Sequence, residues 1–71
     1  MSNECGVAHV RLRGVNQILG SMLPGLNSLA AQCTTLGSMI DESIRYLSMA
    51  NLHVLTLEYH RGTGELTIMV R

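Results

Sequence analysis

The chain has 71 residues, with five arginines and no lysine set against five acids, and its formal net charge is zero. A chain of this length forms one small domain that buries only about 60% of its unfolded surface, so a lone monomer is marginally stable and self-association is an expected remedy. Balanced charge excludes a general attraction to nucleic acid, which needs a basic excess, and leaves only a local patch for that role.

Met1 to Gly6 is polar and ends in glycine, and reads as a flexible N-terminus ahead of a single domain over residues 7–71. Val7 to Arg13 then alternates, Ala8, Val10 and Leu12 falling on one side and His9, Arg11 and Arg13 on the other, which is the period of a half-buried strand. After Gly14, the positions Val15, Ile18, Leu19, Met22 and Leu23 recur at helical spacing and predict a short helix. Pro24-Gly25 predicts a kink, because proline disfavours helical angles at the residue before it.

From Leu26 the apolar residues Leu29, Ala30, Cys33, Leu36, Ile40, Ile44 and Leu47 share a stripe of about 120° at roughly 100° per residue. One stripe predicts one long helix to Ala50, about 37 Å from end to end. Thr34, Thr35 and Gly37 are poor helix formers, and Ser38 before Asp41 and Glu42 resembles a helix start, so a break at Gly37 is the alternative. The stripe keeps its phase through Gly37, which favours continuity.

Asn51 reads as a helix stop, and the chain from Leu52 takes on strand composition. A loop at Arg61-Gly62-Thr63-Gly64 makes a hairpin that pairs His60 with Glu65, Tyr59 with Leu66, Leu57 with Ile68 and Leu55 with Val70, with Gly62 and Gly64 supplying positive φ. The expected fold is therefore α+β in β-α-α-β-β order: a small antiparallel sheet, with its C-terminal hairpin packed on a long helix kinked at Pro24-Gly25, in an expected homodimer. Beside the buried stripe, Ala31, Thr35, Met39, Tyr46 and Met49 form a second, weaker apolar band suited to an interface.

Gly14 to Ile40 contains no Asp, Glu, Lys, Arg or His, so it has no charged face to keep wet. It is long enough to cross a bilayer, but Asn16, Gln17, Asn27, Gln32, Thr34 and Thr35 make it too polar for lipid. With no charged n-region and no cleavage site there is no signal-peptide pattern, and Cys5 and Cys33 make no disulfide framework. A reducing, cytoplasmic setting is expected.

Cys5-x3-His9 is a weak metal half-site, and Cys33, His53 and His60 add no second half. No nucleophile elbow, phosphate loop or dinucleotide pattern occurs, and adjacent Asp41 and Glu42 point about 100° apart on a helix. Neither an enzyme nor a cofactor or metal is expected. The residues point to a non-enzymatic protein–protein interaction module: a small homo-oligomeric adaptor, inhibitor or regulator that binds a protein partner sterically. Its anchors are Met39, Tyr46 and Met49, with Glu42 and Arg45 at the rim. The alternative is a nucleic-acid-binding regulator presenting His9, Arg11 and Arg13 from a strand, joined by His60 and Arg61.

Overall fold

The computed structural model describes residues 5–14 and 17–71, without the side chains of Gln17 and Ile18. In order these are β1 (His9–Arg13), a 3-10 helix (Gln17–Met22), α1 (Leu23–Gln32), α2 (Leu36–Met49), β2 (Val54–His60) and β3 (Glu65–Val70). The fold is a small α+β unit with a mixed three-stranded sheet in the order β1-β3-β2. Of the expected first helix, Val15 and Asn16 lie outside the described residues.

β1 forms where its alternation is strongest, with Val10 buried and His9, Arg11 and Arg13 exposed. Asn27 of α1 accepts the Val10 backbone N–H at 3.2 Å, covering part of an edge that would otherwise template another strand. Pro24 stands in the first turn of α1, where its missing N–H has no helical partner to lose. It begins a helix that follows directly on the 3-10 turn, with Leu23 already helical before it; the helical run is interrupted after Gln32, a few residues before the Gly37 alternative.

That interruption corrects the single long helix. α1 ends as Cys33 takes extended angles, and Thr35, also extended, caps α2 by accepting the Ser38 N–H on its hydroxyl at 3.0 Å. A threonine that reduces helix propensity in a helix interior becomes favourable at an N-cap, and this local gain outweighs an unbroken stripe. The extrapolated phase fails with it. Met39, Ser43 and Leu47 face the core, whereas Ile44 is exposed. Ser43 is fully buried, and its hydroxyl has no hydrogen-bond partner among the described residues.

The sheet is corrected for a related reason. β1 pairs with β3 in parallel, Val10 beside Leu66 and Leu12 beside Ile68, so the sheet is mixed and not antiparallel. Each turn between packed elements reverses the chain. One helix between β1 and β2 would leave β3 antiparallel to β1, whereas two helices leave them parallel.

α2 stops where expected. Asn51 adopts φ 63°, Leu52 donates its N–H to the Leu47 carbonyl and Asn51 to that of Ser48, a Schellman arrangement closed by buried Leu52 against Leu47. The hairpin keeps the expected pairs of His60 with Glu65, Tyr59 with Leu66 and Leu57 with Ile68. Leu55 does not pair with Val70: a bulge between Val54 and Thr56 gives that place to Val54 and leaves Leu55 49% exposed. Of the two loop glycines only Gly64 has positive φ.

The core is one cluster in which Leu26 of α1, Met39 and Leu47 of α2, and Leu66 and Ile68 of β3 are fully buried. Val7 joins it from the segment before β1. That segment is docked on the hairpin, since Ala8 donates its N–H to the Gly64 carbonyl at 2.6 Å and the Tyr59 hydroxyl donates to the Gly6 carbonyl at 2.8 Å. Cys5 and Gly6, the last two residues of the expected flexible N-terminus, are thus held in contact with the fold; the first four lie outside the described residues.

Cys5 is also bonded to Cys33, 28 positions away, with the Cα atoms 5.6 Å apart. The two cysteines are therefore not free thiols, and the segment before β1 is tied covalently to the break between the helices. Closing a loop of this length removes unfolded-state entropy equivalent to about 3.5 kcal/mol in a chain-entropy treatment. We expect native protein to resist alkylation without reductant, and Cys5→Ser/Cys33→Ser to lower the denaturant-extrapolated unfolding free energy by about 2 to 4 kcal/mol. A fully alkylated native protein would refute the bond.

Candidate functional site

The helix break brings α1 and α2 side by side and creates a groove that neither helix has alone. Leu29 of α1 and Glu42, Arg45, Tyr46 and Met49 of α2 line a shallow depression of about 150 Å³. Met49 is 81% exposed, an unusual position for a flexible apolar side chain. Tyr46 is half-buried against the core, and Arg45 reaches Glu42 at 3.7 Å across one helical turn. Such an exposed i,i+3 pair contributes little to stability, roughly 0.2 to 0.5 kcal/mol.

Four residues of the expected interface thus meet: Glu42, Arg45, Tyr46 and Met49. Met39 is not among them. It is fully buried, because restarting the helix at Leu36 turns it inward, and it holds the core rather than a partner. The sequence reading missed the α1 side of the groove, Leu29 and Gly25, since residues of a single straight helix do not face one another. Gly25 is where α1 admits Tyr46: a Cβ there would fall on the tyrosine ring, within 2.6 Å of Cζ.

The second set of residues occupies the sheet face opposite the helices. Glu65 of β3 lies between the outer strands, paired in register with His9 of β1 and His60 of β2. Its Oε2 accepts from His9 Nε2 at 2.9 Å and meets Arg11 Nε at 3.3 Å. His60 faces the same glutamate in register, but its Nε2 meets Glu58 at 3.4 Å. Arg13 lies two positions beyond Arg11, opposite Met69, and Arg61 is exposed in the hairpin loop. The four expected basic residues of the strands therefore share one side without forming a cluster, and His9 and Arg11 converge on Glu65, which the sequence reading had paired with His60 alone.

The hydrogen bond from His9 holds the Glu65 carboxyl below the ordinary glutamate range. Partial burial opposes the shift, and the positive charges of Arg11, His9 and His60 add to it. A folded value below the unfolded one means that Glu65 contributes stability above the unfolded pKa, and that this is lost as pH falls through the folded value.

No group of three histidine, cysteine or acidic side chains among the described residues could hold a metal ion, and no helix among them is long and apolar enough to cross a membrane. No family model matches the chain, and neither a curated protein nor a solved structure matches it.

Two measurements check this geometry. Carboxyl-detected NMR is expected to show Glu65 titrating below a glutamate in an unstructured peptide, and His9→Ala to move it upward; an unchanged titration would refute the His9 contact. Gly25→Ala is expected to push the Tyr46 ring away from α1, read as increased solvent quenching of tyrosine fluorescence, with the lost packing largely offset by the helix propensity of alanine, about 1 kcal/mol over glycine. A variant with native tyrosine emission would show that the close approach is not required.

Proposed function

We propose that the protein is a non-enzymatic protein–protein interaction module, a small homo-oligomeric adaptor, inhibitor or regulator that works by steric binding through the groove between α1 and α2. The supporting observation is the exposure of Met49 beside half-buried Tyr46, with Glu42 and Arg45 on the rim. Covering a methionine side chain contributes about 1.5 to 3 kcal/mol, and a half-buried tyrosine adds amphipathic area that is already positioned. The groove is shallow, so a stable complex needs a surrounding contact of about 800 Å² on each partner.

The nucleic-acid alternative draws less support. His9 and Arg11 are engaged by Glu65, and a phosphate approaching them would meet that carboxylate. The cytoplasmic expectation rested on unpaired thiols. The Cys5–Cys33 bond removes that support and favours a compartment in which disulfides persist.

Light scattering coupled to size-exclusion chromatography tests the reading. At micromolar concentration we expect a mass twice that of the chain, and Met49→Glu is expected to return a monomer with an unchanged fold by circular dichroism, since Met49 touches little within its own chain. A wild-type monomer throughout the concentration range would overturn self-association. A dimer indifferent to Met49→Glu would place the contact elsewhere and leave the groove for a different protein, in which case Tyr46→Ala should abolish capture while sparing the dimer.

A further inference from the structure

A second concavity, about 450 Å³, lies at the carboxyl ends of the parallel strands β1 and β3, away from the helix groove. Single-ligand sites of proteins have volumes of about 300 to 1,000 Å³. Its apolar wall includes Leu55 and Met69, 49% and 41% exposed, which are two of the four large hydrophobic residues left exposed among the described residues. The β2 bulge carries Leu55 there, since unbroken pairing would have set it opposite Val70. Leu19 and Val70, both buried, form the floor. Gly14 closes the floor, because a Cβ at that position would lie 2.8 Å from the Val70 carbonyl oxygen and from Leu19 Cδ1.

The charged side chains lining the cleft have one sign. Arg13 and Arg71 line it and no acidic residue does. Arg13 is the register partner of Met69, and Arg71 follows two positions later, so the pleat puts both arginines on the side of the sheet that carries Met69. Neither forms an ion pair among the described residues, whereas Arg11 and Arg45 each do. An exposed apolar wall with two unpaired guanidinium groups at its rim is complementary to an apolar chain ending in an anion. We propose that this cleft binds a small amphipathic anion, an acyl chain bearing a carboxylate, with the chain along Leu55 and Met69 and the head group at Arg13 and Arg71. An uncharged chain would leave both guanidinium groups without partners, and a cationic one would be repelled.

The test titrates the intact, disulfide-bonded protein with decanoate below its micelle concentration, using decanol and decyltrimethylammonium as controls and following backbone amides by NMR. Saturable shifts at Gly14, Leu55, Met69 and Arg71 are expected. Charge-assisted hydrogen bonds make decanoate the tightest of the three by about tenfold, and Arg13→Gln/Arg71→Gln should weaken it by a similar factor with an unchanged melting temperature. The proposal is overturned if millimolar decanoate leaves these amides unmoved, if decanol binds equally well, or if the double variant retains full affinity. It also fails if the same amides shift with protein concentration alone and decanoate does not reverse the effect, because a second copy of the chain would then occupy the cleft.

Discussion

Cys33, Thr34 and Thr35 decide the direction of everything that follows them. At that point the backbone leaves helical angles, the Thr35 hydroxyl takes over an N–H of the next helix, and the Cys33 sulfur is bonded back to Cys5. The helices then pack against one another, α1 lies on β1, α2 reaches β2, and the chain returns so that β3 runs parallel to β1 between the two other strands. A straight helix through the same residues would reverse the sense of the hairpin and place Ile44 inside where Met39 and Ser43 now sit. The cap and the bond act on one short segment, and the sheet's topology depends on it.

The surfaces left over follow from that arrangement. With both helices on one side of a narrow sheet, the opposite side stays open, and its charges are organised around Glu65 in the central strand. The helix pair has its own outer seam, where Tyr46 fits because Gly25 has no side chain. At the end of the sheet, the β2 bulge and the glycine after β1 make a concavity from residues of three strands. Each surface joins residues distant in sequence, and the helix seam and the end of the sheet also depend on local irregularities: a break, a bulge or a missing side chain.

The candidate residues show how far a linear pattern reaches. Glu42, Arg45, Tyr46 and Met49 were identifiable together because one helix carries all four, and a helix keeps its own faces wherever it is docked. Met39 was misplaced because its side depends on where α2 begins. The basic residues of β1 were correctly set on one side of a strand by their alternation, but alternation carries no information about Glu65, more than fifty positions away. Its part in that surface exists only once β1 and β3 are neighbours.

By itself the sequence determined the features built from short-range preference: the alternating strand ending at Arg13, the helix stop at Asn51, the hairpin turn and the register of its three innermost named pairs. These are decided by backbone angles and by neighbours a few residues apart, so the local chain contains the necessary information. The tertiary structure alone decided the parallel pairing of β1 with β3, the bulge at Leu55, the inward turn of Met39 and the joining of Cys5 to Cys33. Each of these is a contest between local preferences and contacts across the fold, and burial of a shared core settles such contests only when the elements have met.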